Sequence, residues 1–377
     1  MLSLGVIARS RKENEQRLPI HPDHFDFIPQ SVRGSMRFEN GYGKPFNIAD
    51  DELVRHFGGV AARDELLAGC DVVLLPKPQS EDLLEMREGG ILWGWPHCVQ
   101  QEEITQVAID RRLTLIAWEA MFGWKGEMRE MHLFDRNNEM AGYCGVIHAL
   151  GLAGKDGYYG PRSRARVLSH GSVSRGAIFA LQGRGFTDIS VYTQRPPWNV
   201  HDKILGCRYG QMIDDESRDG MTVVEEDGTV RPLVDSLAEG DVIVNGILQD
   251  TDRPLMFLGE KEADRLKKGA LIVDVSCDLA MGFPFARPTS FERPTFDVGT
   301  VTYYAVDHTP SYLWQSASWE LSRVVVAFLE TVMGGADAWA GDETIRRAIE
   351  IRDGVLRNPK IARFQHRAVD FPHAVAD

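Results

Sequence analysis

The segment 166–177, RVLSHGSVSRGA, has the pattern of a β-strand that runs through a short turn into a helix. In dinucleotide-binding folds this turn carries the glycines of the fingerprint G-x-G-x-x-G, which permit a tight turn and let backbone amides approach a pyrophosphate. Here Gly171 offers the close approach, and Gly176 with Ala177 is expected to let the helix pack near the sheet, but Ser169 replaces the first glycine. Taken alone, the segment fits a nucleotide-binding turn and an ordinary strand–turn–helix unit equally well.

Length and composition restrict the class of protein. The 377 residues are too many for one ordinary hydrophobic core and predict two domains. Hydrophobic residues make up 43% of the chain and charged residues 26%, which is the balance of a soluble globular protein. No apolar run is long enough for a membrane helix, and the first one is too short for a signal peptide, so we expect a cytoplasmic protein with no membrane partner.

Charge and cysteine content exclude further classes. The net charge of −13 argues against nucleic acid as a partner, because phosphate contacts need a basic surface. A basic pocket for one small anion remains compatible with this charge. The five cysteines are scattered and none forms C-x-x-C, so we expect no metal site and a reducing compartment.

Strand-like and helix-like stretches alternate along the first third of the chain, which is typical of a parallel sheet with covering helices. Residues 137–153 predict a long buried helix that connects two domains, with Gly142, Gly145 and Ala149 on a close-packing face. A second α/β pattern follows. Residues 316–335 then predict an amphipathic helix, before a tail that is helical at first and then irregular.

The end of the predicted strand 188–193 bears on which nucleotide would bind. An acidic residue usually binds the ribose hydroxyls about 20 residues after the glycine turn. The chain instead reads Thr193-Gln194-Arg195. An arginine can donate hydrogen bonds to a 2′-phosphate, which a carboxylate would repel. This pattern therefore favours NADP(H) over NAD(H). The alternative is an arginine in a solvent-exposed loop.

Five further segments are spaced along the chain: RKENEQRLPIHP (11–22), DVVLLPKPQ (71–79), GILWGWPH (90–97), GALIVDVSCD (269–278) and YAVDHTPSYLWQSAS (304–318). In this order they resemble the motifs of the alanine dehydrogenase and pyridine nucleotide transhydrogenase family, over about residues 5 to 330. The last two look most like saccharopine dehydrogenase and N(5)-(carboxyethyl)ornithine synthase, which belong to the same superfamily. NNEMAGY and VDHTPSYLW point most toward the carboxyethylornithine synthase branch.

The resemblance implies an α/β enzyme of two Rossmann-like domains with parallel sheets and an active-site cleft between them. Residues 1–136 plus about 315–377 would form a discontinuous substrate and catalytic domain. Residues 137–314 would form a Rossmann domain that binds NADP. Such enzymes move hydride between a nicotinamide cofactor and the α-carbon of an amino acid, and we expect a homo-oligomer.

The motif set favours NADPH-dependent condensation of pyruvate, or a similar keto acid, with the side-chain amine of ornithine or lysine. An alanine dehydrogenase or saccharopine dehydrogenase relative is the alternative, and a non-catalytic NADP-binding sensor is a third. Alanine dehydrogenases commonly follow the VDxxxD motif with QGG, but here LAMGFPFARPT follows. This departure argues against a plain alanine dehydrogenase, and we expect residues 283–291 to shape a pocket for a larger amine.

Four residues are candidates for substrate binding and catalysis. Arg17 matches the substrate-binding arginine of the family, and its planar guanidinium suits a bidentate bond to a carboxylate. Lys77 and His97 each follow a strand, where ligands of parallel sheets gather, and both are expected to bind substrate and transfer protons. Asp278 matches a family aspartate near the nicotinamide. For each residue a structural role, such as a loop hydrogen bond, is the alternative.

The remaining candidates concern the cofactor. Asn245 and Gly246 fall where the resemblance places the cofactor ribose, and Asp307 with His308 ends the last predicted strand. Asp274 is expected to brace the sheet. The predicted cofactor-binding residues are Gly171, Ser172, Val173, Gln194, Arg195, Asn245, Gly246, Ser276 and Asp307.

Overall fold

The computed structural model describes residues 1–214, 220–249, 253–259 and 261–375. It divides into two compact units, one formed by Met1–Asp135 with Trp314–Asp377 and the other by Arg136–Leu313. Each unit is built around one large, mostly parallel sheet. The predicted α/β class with two Rossmann-like domains is confirmed.

The strands, numbered along the chain, alternate with helices through most of both units. They are β1 (Leu4–Val6), β2 (Met36–Glu39), β3 (Val60–Ala61), β4 (Val72–Leu75), β5 (Ile91–Gly94), β6 (Thr114–Ala117), β7 (Phe122–Lys125), β8 (Met128–His132), β9 (Arg164–Leu168), β10 (Asp188–Thr193), β11 (Cys207–Ile213), β12 (Thr222–Val224), β13 (Val230–Pro232), β14 (Val242–Asn245), β15 (Leu271–Asp274), β16 (Thr295–Val298), β17 (Val301–Tyr304), β18 (Ile349–Arg352) and β19 (Val355–Leu356).

The α-helices are numbered in the same way. They are α1 (Gln30–Arg33), α2 (Asp50–His56), α3 (Arg63–Gly69), α4 (Ser80–Glu85), α5 (Glu102–Asp110), α6 (Asp135–Leu152), α7 (Ser172–Gly183), α8 (Leu233–Ala238), α9 (Trp314–Met333), α10 (Ala336–Gly341), α11 (Glu343–Ala348) and α12 (Pro359–Phe364). Short 3-10 helices occupy Pro22–Phe27, Lys44–Phe46, Trp118–Ala120, Pro197–Asn199, Ala263–Arg265 and Thr309–Leu313. None of the helices in the described ranges is long and apolar enough to cross a membrane.

The sheet of the first unit has, among the described residues, the strand order β19-β18-β6-β5-β4-β1-β2-β3. The strands from β3 to β6 in this order are parallel. Every position of β4 is buried, as expected for a parallel strand that is covered on both faces. The strand order reverses at β1, and open α/β sheets bind ligands at the carboxyl ends of the strands near such a point.

The tail of the chain differs from the prediction that it is helical at first and then irregular. Residues 349–356 form the antiparallel strands β18 and β19, and β18 pairs with β6 at the sheet edge. The helical start is confirmed by α10 and α11, but the expectation of an irregular continuation is wrong at residues 349–356. A run of only three or four apolar residues among polar ones gives too weak a periodic signal to indicate a strand.

The sheet of the second unit has, in the described part of the chain, the order β13-β12-β11-β10-β9-β14-β15-β17-β16. Strands β11, β10, β9, β14, β15 and β17 are parallel, and the others join antiparallel at the two edges. Buried apolar residues cover both faces of the sheet. The strand order reverses between β9 and β14, which are hydrogen-bonded neighbours.

Helices α6 and α7 touch each other through glycines. A Cβ atom on Gly142 would lie 1.8 Å from the carbonyl oxygen of Val173, and one on Gly176 would lie 1.7 Å from the carbonyl oxygen of Glu139. The predicted close-packing face of α6 is therefore confirmed at Gly142. The prediction that Gly176 lets its helix approach the sheet is wrong, because this glycine faces α6.

We expect Gly176→Ala to lower the free energy of unfolding by about 3 kcal/mol, because its methyl group would overlap a helix backbone. Gly183→Ala is the matched control in the same helix: apart from its chain neighbours and the adjacent backbone of α7, no heavy atom of the described residues lies within 4 Å of its added Cβ. That control should be neutral or slightly stabilising. Urea unfolding followed by circular dichroism compares them, and equal midpoints would contradict the close contact.

Candidate functional site

Lys77 and His97 meet at the carboxyl ends of two neighbouring parallel strands, β4 and β5. The Nζ atom of Lys77 lies 2.9 Å from Nε2 of His97. Both side chains are partly exposed, so a ligand can reach them. An amine and an imidazole in direct contact can bind a polar substrate group and pass a proton between them.

Glu119 holds His97 in place and was not predicted from the sequence. His97 has a φ angle of 50°, a left-handed conformation that is uncommon outside glycine and recurs at functional sites. Its backbone N–H donates to Oε1 of Glu119 at 2.6 Å, and the same oxygen lies 4.0 Å from Nδ1 of the ring. Glu119 comes shortly after β6, so its position at the end of the next parallel strand could have revealed it.

The carboxyl group of Glu119 holds its proton unusually well. Burial and, secondly, the negative charge of Glu350 raise its pKa to about 8. The side chain as a whole is 27% exposed, but its Oε2 atom is buried and has no hydrogen-bond partner among the described residues. Glu350 is buried where the pairing of β18 with β6 is irregular, and burial raises its pKa as well. The carboxyl group of Glu119, which stays protonated up to about pH 8, therefore lies next to His97 and its contact with Lys77.

Arg17 is buried and paired rather than exposed. Its Nε donates to Oε1 of Glu15 at 2.8 Å, and its Nη2 donates to the other oxygen of that carboxylate. The guanidinium also lies 4.9 Å from the centre of the Trp95 ring. These contacts fix the plane of the guanidinium. Glu15 was missed from the sequence, although an acid two residues before Arg17 in the same motif is a usable signal.

The turn after β9 keeps the shape of a nucleotide-binding turn. Ser169 has a φ angle of 83°, the left-handed region that a glycine would adopt without strain. The first intrahelical bond of α7 runs from Arg175 N–H to the carbonyl of Gly171. The amides of Ser172 and Val173 therefore have no intrahelical acceptor, and Gly171 beside them is exposed. These residues fit the pyrophosphate of a dinucleotide.

Gln194 and Arg195 are exposed directly after β10. The Thr193 hydroxyl donates to the carbonyl of Arg195 at 2.6 Å, and Gln211 donates to that of Gln194 at 3.2 Å. Both backbone carbonyls are thus anchored, and the side chains extend from a fixed loop toward solvent.

The side chain of Asn245 is engaged inside the protein. Its Nδ2 donates to Asp274 at 2.9 Å, and its Oδ1 accepts from the backbone N–H of Ile247 at 3.0 Å. The Tyr303 hydroxyl donates to the second oxygen of Asp274. Burial raises the pKa of Asp274 to about 7. The carboxyl group of Asp274, at the end of β15, therefore links side chains of β14 and β17.

The remaining predicted residues follow β14, β15 and β17. Asp278 and Ser276 are partly exposed, and burial raises the pKa of Asp278. Asp307 is exposed, and its Oδ1 lies 2.5 Å from Nδ1 of the buried His308. Gly246 is packed so closely that a Cβ there would lie 2.4 Å from a side-chain oxygen of α7.

The segment 283–291 has a structural role that the sequence did not indicate. Phe283 is fully buried and packs against Tyr303 and Phe257. The backbone N–H of Thr289 donates to the carbonyl of Ala305, which ties the segment to the chain after β17. In the described ranges, no group of three or more histidine, cysteine, aspartate or glutamate side chains is placed to hold a metal ion.

We expect Glu119→Gln to reduce the decline in stability between about pH 4.5 and pH 8. The folded wild type keeps this proton up to about pH 8, whereas the unfolded chain releases it near 4.5. Between these values the folded state binds the extra proton, so rising pH favours unfolding of the wild type. Glutamine does not ionise and still accepts the His97 N–H.

The urea midpoint of unfolding, measured at about pH 5 and about pH 8, shows how much stability each protein loses across this pH range. Glu88→Gln, at an exposed carboxylate of the same unit, is the control and should keep the wild-type dependence. The same pH dependence in Glu119→Gln and wild type would contradict the raised pKa.

Comparison with known proteins identifies the family. The N-terminal domain model of the alanine dehydrogenase/PNT family matches residues 5–141, and the C-terminal domain model matches 216–359. An N(5)-(carboxyethyl)ornithine synthase from Clostridium botulinum is 26% identical over 337 residues, which cover 85% of this chain and 92% of that protein. An alanine dehydrogenase from Halomonas elongata is 23% identical over 370 residues, 95% of each chain.

The fold agrees with this family. The solved structure of an L-alanine dehydrogenase superposes with a TM-score of 0.75 at 18% identity, covering 96% of this chain and 99% of that one. The two domain models match in their natural order along the chain. This protein therefore belongs to the alanine dehydrogenase/PNT family and is an oxidoreductase of that family.

Proposed function

We propose that this enzyme catalyses the NADPH-dependent reductive condensation of a keto acid, pyruvate or one like it, with the side-chain amine of ornithine or lysine. The observation that carries the proposal is the 2.9 Å contact of Lys77 Nζ with His97 Nε2 at the strand ends. The similarity to N(5)-(carboxyethyl)ornithine synthases, at 26% identity over most of both chains, supports the choice of substrates.

The residues of the first unit suit the steps before reduction. Arg17, fixed by Glu15, would bind the keto-acid carboxylate. The neutral amine would attack the keto carbon, and Lys77 and His97 would take up the two protons that its nitrogen loses and pass them to the keto oxygen. This oxygen then leaves as water, and the C=N bond of an imine forms. Glu119 would keep the His97 ring oriented during these proton transfers.

The second unit would hold the cofactor. The amides of Ser172 and Val173 beside Gly171 would bind the pyrophosphate, and Gln194 with Arg195 would bind the 2′-phosphate. NADPH, when bound, supplies the hydride that reduces the imine carbon. Asp278, whose pKa burial raises, would lie near the nicotinamide. Asn245, whose side chain is occupied, would face the cofactor only through its backbone.

An alanine dehydrogenase or saccharopine dehydrogenase relative is the second candidate. The similarity to alanine dehydrogenases along 95% of the chain favours it, although the QGG sequence after the VDxxxD motif is missing. The two enzymes would differ from the proposed synthase in substrate, ammonia in one case and 2-oxoglutarate in the other. A non-catalytic sensor would have no need of the paired Lys77 and His97.

The loss of NADPH absorbance with pyruvate tests the proposal, with ammonia, L-ornithine and L-lysine supplied in parallel. We expect oxidation only with a diamino acid. Lys77→Ala should reduce this turnover at least about a hundredfold, because it removes a proton donor, while NADPH still binds. Oxidation with ammonia alone, or only with 2-oxoglutarate and lysine, would replace the proposed substrates by those of the second candidate. Undiminished turnover in Lys77→Ala would overturn the catalytic role.

We expect Arg195→Ala to weaken NADPH binding at least about tenfold and NADH binding little, because only NADPH offers a 2′-phosphate to a charge-assisted bond. Fluorescence titration with each cofactor measures the two dissociation constants. Arg293→Ala, at an exposed arginine of the same unit, is the control. An unchanged ratio of the two constants in Arg195→Ala would contradict the proposed cofactor preference.

A further inference from the structure

The turn after β9 departs from the fingerprint at two positions, not one. Counted from Ser169, the third glycine position of G-x-G-x-x-G falls on Ser174, so this glycine is replaced as well. The third glycine ordinarily allows the helix to pack closely on the strand. The turn also lies outside both ranges that match the family models, 5–141 and 216–359. The turn keeps its nucleotide-binding shape although serines stand at the first and third glycine positions.

The two serine hydroxyls meet each other. Oγ of Ser174 lies 3.1 Å from Oγ of Ser169 and donates to the carbonyl of Leu168 at 2.9 Å. Oγ of Ser169 accepts from the Gly171 N–H at 3.1 Å and lies 3.3 Å from the carbonyl of Gly246. One hydroxyl pair thus links β9, the start of α7 and the end of β14.

Both serine hydroxyls have hydrogen-bond acceptors within the turn and its neighbouring strands. Each hydroxyl has one proton to donate. Ser174 directs its proton to the Leu168 carbonyl, and the Ser169 proton has Ser174 Oγ and the Gly246 carbonyl within reach. The pair therefore organises the turn and does not itself donate to a phosphate. The Gly171 N–H donates to Ser169 Oγ, so the amides that would face a ligand are those of Ser172 and Val173.

The glycine missing from α7 has a counterpart on the facing strand. A Cβ atom at Gly246 would lie 2.4 Å from Oγ of Ser174 and 3.0 Å from its backbone nitrogen. Gly246 thus provides the space that a glycine at position 174 would otherwise provide. Because Ser174 is fully buried, its hydroxyl requires this space and the bonds described above.

We propose that the hydroxyl pair of Ser169 and Ser174 positions the cofactor pyrophosphate by fixing the amides of Ser172 and Val173, in place of two fingerprint glycines. Ser169 supplies the left-handed turn and the bond to Gly171, and Ser174 supplies the buried anchor. This inference rests on the proposed function, because it takes the ligand to be a nicotinamide dinucleotide.

The dissociation constant for NADPH, measured by fluorescence titration of the full-length protein, tests the pair. Ser169→Ala and Ser174→Ala should each weaken binding about tenfold, the effect of losing one organising hydrogen bond. The double alanine variant should weaken it by about the same factor as either single variant, because removing one member already disables the pair. Ser163→Ala, outside the turn, is the control and should bind as the wild type does.

A glycine double variant separates positioning from general destabilisation. Ser169→Gly/Ser174→Gly restores the fingerprint, and it should bind NADPH within about threefold of the wild type because glycine adopts the turn without strain. With saturating substrates, kcat and the KM for pyruvate should be unchanged in every variant, and only the KM for NADPH should rise. If alanine at one position prevents folding, the alanine variant at the other position and the glycine double variant are compared with the wild type.

Three results would overturn the inference: wild-type binding in both single alanine variants, additive losses in their double variant, or a glycine double variant that binds NADPH no better than the alanine double variant. Failure of the wild-type protein to bind either NADPH or NADH would overturn the proposed function, and this inference with it. Tight wild-type binding with unaffected variants would overturn the inference alone.

Discussion

In-register pairing of the parallel strands β4, β5 and β6 is the constraint on which the first unit's site depends. Val72 pairs with Ile91 and Ile91 with Thr114, so the three strands end at the same level of the sheet. A shift of one residue in this register would send each following side chain to the opposite face. The residues that follow these strands, Lys77, His97 and Glu119, are brought together by this pairing although they are far apart in sequence.

Both units contain a carboxyl group whose pKa burial raises to near neutral pH. Burial raises the pKa of Glu119 to about 8 in the first unit and that of Asp274 to about 7 in the second. Both groups lie near the carboxyl end of a parallel strand and accept hydrogen bonds from neighbouring segments. Such carboxyls connect strand ends without adding a full negative charge to a region where an anionic ligand is expected.

Residues that directly follow a strand could be placed from the sequence. Contacts between residues that are distant in the sequence could not. Lys77 and His97 could be predicted because a buried apolar strand precedes each of them, and such strands are readable from composition. Glu119 could not be assigned to His97 without knowing that β6 lies beside β5. Gly176 was assigned to the wrong neighbour because a glycine in a helix does not show which element it faces. Arg17 was proposed as a substrate-binding residue from its motif, but its pairing with the carboxylate of Glu15 became evident only from the geometry.

The pairing of β18 with β6 has a consequence for how the chain folds during synthesis. β6 lies at the edge of the parallel strands until residues 349–352 have been made, and these follow the whole 136–313 unit along the chain. An unpaired edge strand is a template for wrong partners, and a contact between such distant residues forms slowly. The sheet that carries Lys77 and His97 is thus completed late, and a nascent chain halted before β18 would expose a β-edge to aggregation and to chaperones.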